Sequence, residues 1–366
     1  MTFTPTGQPP KGNELDLPLV WIGGNNNAAF SGGMDWGTFS YGVREDDRGY
    51  IVLSRLPGMS AAAESVMGIP GAQSLMWFTQ QDNLRKRMGE LRFSNPILST
   101  NAWARTYGER SNIHSGATGR GFKAELWGLD IGADKGFQLD MNNQLFVGAF
   151  AGYGKADQDF RRTNGKSEAT QGGVYATWLN ACGLYADATL KAAHFENKFS
   201  AYDQSRNRTS GDYSNWGLGA SVEMGWQKQF AQGWFAEPMV QIGYAHMGGR
   251  DYTTGNAMAM SVRQRDADVW QFRTGARAGK TFAMSNDSLL QPYVKMGVVE
   301  QVSSSGRVEI GGAGWRPNLD GTRIELGAGV AWQMNAHSQL HLDYQAALGQ
   351  KYDKPVGINL GFRHQF

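Results

Sequence analysis

The chain has 366 residues, with 35 Lys and Arg against 33 Asp and Glu for a formal net charge of +2, and it carries 49 Gly, 12 Trp, 13 Tyr and 18 Phe. So balanced a charge, dispersed along the chain, excludes a nucleic-acid partner, and glycine at roughly twice its average usage with abundant aromatics suits strands and turns. A mean hydropathy of -0.45 and the lack of a run of eighteen apolar residues exclude a helical membrane span, yet leave strand spans open because their signal per segment is weak.

Residues 1–56 are polar and glycine-rich with short strand-like runs, LPLVWIGG (Leu17–Gly24), WGTFSYGVRE (Trp36–Glu45) and GYIVLSRL (Gly49–Leu56). The turn Glu45–Gly49 predicts a hairpin between the last two. Met1–Pro10 lacks a charged-then-apolar pattern, so an exported protein would carry its signal peptide and further upstream sequence outside this stretch. Residues 57–71, with Gly58, Gly68, Pro70 and Gly71, have linker composition. Ser74–Arg92 is the one convincing helix: Leu84, Met88 and Leu91 recur at helical spacing among good helix formers. Its nineteen residues would make a rod of roughly 28 Å. Arg85, Lys86, Arg87 and Glu90 would each cost roughly 2.5 to 3.5 kcal/mol in mid-membrane, so as a span this helix requires a polar, water-accessible sleeve.

From Asn101 onward the pattern changes to strict alternation. In Gly321–Asn335, Arg323, Glu325, Gly327, Gly329 and Gln333 share one face, opposite Ile324, Leu326, Ala328, Val330 and Trp332. Twelve such strands are expected, beginning near residues 101, 121, 144, 168, 183, 212, 233, 258, 288, 321, 338 and 355. Short turns alternate with polar connections near 157–167, 200–211, 248–257 and 301–320. A polar, glycine-bearing face on strand after strand, opposite an apolar one, is what a barrel with lipid outside and water inside requires. The expected fold is therefore all-β, a twelve-stranded antiparallel transmembrane barrel over 93–366, preceded by a linker and helix over 57–92, the helix lying in a lumen wide enough to hold it. Cys182 stands alone among the cysteines, and no metal or cofactor is expected.

With these elements in place, the chain resembles the translocator domain of monomeric autotransporters, the group containing pertactin, the AIDA-type adhesins and the serine-protease autotransporters. Asp82-Asn83-Leu84-Arg85-Lys86-Arg87-Met88-Gly89-Glu90-Leu91-Arg92 resembles the family's Asn-Leu-x-Lys-Arg-Met-Gly-(Asp/Glu)-Leu-Arg helix motif. Trp36–Leu53 resembles the last strands of a passenger β-helix, which would make 1–56 the passenger's C-terminal end. The terminal residues Asn359, Gly361, Phe362, His364 and Phe366 resemble the signal read by the barrel-assembly machinery, with His364 departing from the usual aromatic.

The resemblance implies export and surface display of the chain's own N-terminal passenger through a Gram-negative outer membrane. It also implies a monomer, helped by periplasmic chaperones and the assembly machinery, with Leu84–Met88 in a plugging helix. In cleaving members an Asn in this helix attacks its own backbone carbonyl, at the position of Asp82 here, before Asn83. A carboxylate would have to form a strained, reversible anhydride, so Asp82 should slow scission greatly. Either the protein keeps its passenger attached, or Asp82 is an engineered block in a truncated chain. At most a single-turnover self-cleavage is expected. Glu125, Glu223, Glu237 and Glu325 are candidates to polarise the junction or pair with the helix cations, and Arg273 and Arg323 are further candidates for the lumen wall. Two other classes compete. One is a passive outer-membrane pore, which the helix motif just before the first strand disfavours; the other is a barrel hydrolase, for which the six histidines show no accompanying nucleophile motif.

Overall fold

The computed structural model describes residues 16–21, 32–81, 90–93, 100–114, 121–160, 162–203, 206–255, 259–284, 288–317 and 319–366. Strands β1 (Asp16–Trp21), β2 (Gly33–Trp36), β3 (Phe39–Glu45) and β4 (Tyr50–Met59) make an antiparallel sheet in the order β1-β4-β3-β2, with the expected hairpin as β3–β4. Helix α1 (Ala61–Gln81) follows.

The barrel strands come next: β5 (Thr100–Ile113), β6 (Phe122–Gln138), β7 (Asn143–Phe160), β8 (Thr163–Asn180), β9 (Leu184–Tyr202) and β10 (Arg208–Trp226), then β11 (Lys228–Gln229) and β12 (Trp234–Met247). Beyond them lie β13 (Arg250–Thr253), β14 (Ser261–Gln264), β15 (Ala267–Lys280), β16 (Phe282–Ala283), β17 (Leu289–Ser303), β18 (Val308–Ile310) and β19 (Ala313–Trp315). The chain ends with β20 (Gly321–Gln333), β21 (Ser338–Gly349) and β22 (Tyr352–Gln365). Twelve long strands, β5–β10, β12, β15, β17, β20, β21 and β22, pair antiparallel in chain order. β22 then pairs with β5, Gln365 opposite Asn101, and the sheet closes without an edge.

The alternation read from sequence becomes inside and outside. On β20, Ile324 and Leu326 face out while Arg323 and Glu325 are buried; on β10, Leu218, Val222 and Met224 face out while Ser221 and Glu223 are buried. Aromatics flank the apolar band, Trp127, Trp216 and Trp270 toward one rim and Trp226, Trp234, Trp332 and Phe366 toward the other. The second rim carries the short turns and both barrel ends. One of these turns is closed by Asp140, which accepts from the backbone N–H groups of Asn142 (2.7 Å) and Asn143 (2.9 Å) and from the Asn143 side chain (2.7 Å). The Asn143 side-chain bond, then the Asn142 backbone bond, hold its carboxyl below the usual carboxylate range.

Three expectations need correction. Residues 157–167 and 200–211 are mostly strand: β7–β10 run past the apolar band, where outward positions such as Lys155, Asp157, Lys166 and Glu196 are polar because no lipid reaches them. The strand expected near 258 begins at Ala267, and β13, β14, β18 and β19 from the two remaining connections form a separate four-stranded sheet at the long-loop rim. Helix α1 begins at Ala61 rather than Ser74, taking in most of the stretch read as linker, and at the expected C-terminal end Glu90 is not helical and Leu91–Phe93 is a separate 3-10 turn. The start of α1 is capped, since the Ala63 backbone N–H donates to Ser60 Oγ (3.3 Å) and Glu64 lies in the first turn. Gly68, Pro70 and Gly71 are poor helix formers, but the helix is enclosed on all sides, and packing outweighs propensity. Gly68 has a direct role, because a Cβ there would fall 2.2 Å from the Phe160 ring.

Candidate functional site in the barrel lumen

Every residue of α1 except Pro70 and Thr79 is buried, including Glu64, Gln73, Gln80 and Gln81. A helix with no exposed face must bind its polar atoms to the wall. Gln73 Nε2 donates to Asn215 Oδ1 (2.8 Å), Gln301 Nε2 donates to Ser74 Oγ (3.3 Å), and Ser65 meets Thr163. In the last described turn two buried cations bind backbone carbonyls: Lys191 Nζ donates to Trp77 O at 2.9 Å, and the Arg105 guanidinium donates to Gln80 O. Positive charge suits this end of a helix, where carbonyls lack intrahelical partners. Arg105 also pairs with Asp130 (2.8 Å), which accepts from Gln171 (2.6 Å), while Lys191 sits 3.9 Å from the centre of the Trp77 ring.

At the short-turn rim Glu90 and Arg92 fix the other end of the segment. The Glu90 backbone N–H donates to Gln339 Oε1 (2.9 Å), Gln339 Nε2 donates to Glu90 O (3.0 Å), and the Glu90 carboxylate pairs with Arg277 at 2.5 Å. Arg277 pairs equally with Glu237 (2.9 Å), and Arg92 donates to Gly183 O (2.7 Å). Leu91, fully buried, packs in a cluster with Trp103, Phe146, Tyr175 and Tyr185. Thus α1 starts at the long-loop rim, among Val262, Val308 and Ile310, and Glu90–Phe93 lies at the short-turn rim where β5 begins. The polypeptide runs through its own barrel.

Between these anchors, a cavity of about 60 Å³ is lined by Glu223, Glu237, Arg273, Arg277, Lys295, Glu325 and Asp343. Arg273 and Arg323 both pair with Glu325 (3.3 and 3.1 Å), Lys295 pairs with Asp343 (2.6 Å), and Tyr185 donates to Glu223 (2.8 Å). The structure therefore gathers five of the six wall candidates, Glu223, Glu237, Glu325, Arg273 and Arg323. Glu125 is elsewhere: it faces outward above Trp127 and pairs with Arg110 at 2.7 Å, both side chains more than half exposed. Asp82 and Asn83, with Leu84, Arg85, Lys86, Arg87 and Met88, lie outside the described residues.

Of the terminal residues, Asn359 and Gly361 face the lumen. Phe362, His364 and Phe366 line the outer surface, with ring centres 6.4 and 4.8 Å apart in succession. Arg105, Asp130, Lys191, Arg277 and Gln339 were not singled out from the sequence. Their one signal was parity, a polar side chain on the inward face of a strand, which many neighbouring residues share.

A closed antiparallel barrel with apolar outside, polar inside and its own chain threaded through it defines a transmembrane barrel with a filled pore. The Autotransporter beta-domain family profile matches residues 102–345, and the chain belongs to that family. The pertactin autotransporter of Bordetella bronchiseptica is 32% identical over 311 residues, 84% of this chain and 33% of that protein. The BrkA autotransporter of Bordetella pertussis is 28% identical over 358 residues, 96% of this chain and 35% of that protein. The chain thus spans about a third of the length of these relatives. Among solved structures, the β-domain of the Bordetella autotransporter BrkA superposes with a TM-score of 0.63 at 26% identity, covering 73% of this chain and all of that one. The transport unit of AIDA-I from Escherichia coli superposes at 0.58 with 14% identity, over 81% of this chain and 98% of that one, which speaks for the fold. The chain is an outer-membrane translocator domain of a Gram-negative bacterium, serving passenger export.

Proposed function

We propose that the barrel exports the polypeptide joined to its own N-terminus to the cell exterior, and that α1 is the last part of that polypeptide, left in the pore as its plug. The observation that carries this reading is the chain path, with β1–β4 at the long-loop rim, α1 through the lumen, and the first barrel strand starting at the opposite rim. On this reading the long-loop rim faces outward, residues 1–56 are the passenger's C-terminal end, residues 57–92 the linker and plug, and residues 93–366 the translocator. The outward ladder Phe362, His364 and Phe366 is the part of the last strand that the barrel-assembly machinery reads, after periplasmic chaperones have delivered the chain.

The junction Asp82-Asn83 holds the passenger on the barrel. An Asn at position 82 could close a five-membered succinimide, its side-chain nitrogen attacking its own backbone carbonyl while the amine of Asn83 leaves. An Asp carboxylate has no such nitrogen. Confinement between two anchored ends supports such a reaction, since held geometry replaces a large entropic cost. The test places an epitope at Met1 of the full chain, expressed behind a secretory signal peptide, and reads it twice, by protease on intact cells and by intact mass after membrane extraction. The epitope should be reached on intact cells, with one mass for the natural chain and two for Asp82→Asn. An epitope reached only after lysis would overturn the direction of export; an intact Asp82→Asn chain in a folded barrel would overturn the junction chemistry alone.

A further inference from the structure

Outward-facing cations of the barrel differ in their surroundings between its two ends. Above the apolar band, toward the long-loop rim, several pair with carboxylates, Arg110 with Glu125 (2.7 Å), Lys155 with Asp157 (2.5 Å) and Lys166 with Glu168 (2.6 Å), while Lys198 there is exposed with neither a carboxylate in ion-pair distance nor a ring beside it among the described residues. At the short-turn rim two lysines also lack such a pair. Among the described residues, no carboxylate lies within ion-pair distance of Lys228 or Lys280. Their neighbours are rings instead. Lys228 Nζ is 5.6 Å from the ring centres of both Trp226 and Phe230, and Lys280 Nζ is 5.5 Å from that of Trp234 and 5.2 Å from that of Phe282. All four rings face outward and are about half exposed.

Register brings the two lysines together. Lys228 on β11 stands opposite Ala236 of β12, and Lys280 on β15 stands opposite Trp234, two residues along the same strand. One strand and an offset of two residues therefore separate them, about 12 Å at the usual spacings. The small side chains of Ala236 and Ala278 lie opposite each other in the gap. Cations without counterions, set into the aromatic girdle where bilayer and water meet, form a positive, amphipathic surface.

We propose that this face of the short-turn rim binds an anionic glycerophospholipid, with Lys228 and Lys280 meeting the headgroup phosphate and Trp226, Phe230, Trp234 and Phe282 embracing its glycerol and upper acyl chains. A zwitterionic lipid brings its own ammonium to the site and so gains less from two further ones. The lipid anchors the β10–β15 sector of the barrel at a fixed depth. That sector includes β12 and β15, whose inner faces hold Glu237 and Arg277, so the depth of the outer surface and the hold on Glu90 are set on the same two strands.

The test is native mass spectrometry of the full chain in detergent with equimolar dioleoylphosphatidylglycerol and dioleoylphosphatidylcholine. The natural protein should retain the anionic lipid in preference by roughly thirtyfold, as expected for two basic side chains near an anionic surface. Lys228→Gln/Lys280→Gln should retain both lipids about equally, while Lys228→Arg/Lys280→Arg keeps the preference. Lys155→Gln/Lys198→Gln, with the same change in net charge at the other rim, should keep it too. Heat-modifiable migration on gels verifies that each variant is folded. The proposal is overturned if the natural chain shows no preference, if the Lys228→Gln/Lys280→Gln protein keeps it, or if both glutamine pairs lose it equally, which would make the effect one of overall charge.

Discussion

Between β6 and β10 the inner wall touches α1 mainly with small and aromatic side chains, Lys191 on the Trp77 carbonyl being a charged exception, whereas between β12 and β22 it faces the lumen mainly with charge. On the first wall Ala156, Ala169, Ala193 and Phe195 pack around Met76, Trp77 and Phe78, and Gly217 and Gly219 let the Trp77 ring lie against the backbone. On the second, Glu237, Arg273, Arg277, Lys295, Glu325 and Asp343 surround the cavity. The strands differ as well, 17 to 19 residues on the packed side and 12 to 15 on the charged side. One lumen thus does two jobs with two surfaces. Close packing fixes the helix, and an ionic wall lines the cavity beside it.

The packed wall should give the largest effect. Trp77 is fully buried, and its truncation leaves a cavity that the rigid sheet cannot close, so Trp77→Ala should destabilise the protein by about 3 to 5 kcal/mol. Guanidinium unfolding in detergent, followed by heat-modifiable migration, gives the midpoint. A midpoint equal to that of the natural chain would mean that α1 is not held by this wall. The tight approach at Gly219 explains why: a Cβ there would lie 2.1 Å from Tyr244 O and 2.7 Å from the Trp77 ring, so neither strand nor helix has room to move inward.

The charged wall should respond less. Arg277→Ala removes the closer of two cations that Glu90 and Glu237 share, where leaving both unpaired in a dry interior would cost about 3 to 5 kcal/mol. Arg92, 3.4 Å from each carboxylate, remains, and the adjoining cavity admits water, so about 1 to 3 kcal/mol is expected here. Arg277→Lys should recover only part of this, because an ammonium cannot fork between two carboxylates as a guanidinium does. Releasing Glu90 should also raise conductance in planar bilayers. If stability falls as far as in Trp77→Ala while conductance stays unchanged, the two walls are not distinct in the way proposed.

The contrast also explains what the sequence could tell. The strands and their inward faces were legible because lipid and water impose a period of two that nothing else in the chain mimics. Helix α1 from Ala61 to Gly71 was not, because Gly68, Pro70 and Gly71 signal a linker in any context except a closed wall that excludes alternatives. Glu125 was placed in the lumen on its charge alone; its strand position, in step with Trp127 and Leu129, already pointed outward. The anchors Arg105, Lys191 and Arg277 were hidden for another reason. Parity says which face a side chain takes, but only the threaded chain says which carbonyl or carboxylate it meets.

The smallest effect should separate the inside from the outside. Arg110 and Glu125 form a 2.7 Å pair with both side chains more than half exposed, while Arg363 and Asp134 form a bidentate pair at 2.9 and 2.6 Å that is almost wholly buried. Exposed pairs contribute about 0 to 1 kcal/mol, since water screens them and two long side chains must be held still. A double-mutant cycle on Arg110→Ala and Glu125→Ala should therefore give a coupling under about 1 kcal/mol. At about 1 M salt the screening length falls to about 3 Å, and that coupling should vanish. The same cycle on Arg363 and Asp134 should give a larger value that persists, because a bidentate buried pair excludes the ions that would screen it. Equal couplings and equal salt sensitivity would mean that the lumen is as open to bulk solvent as the outer surface, and the wall would then owe its order to packing on α1 alone.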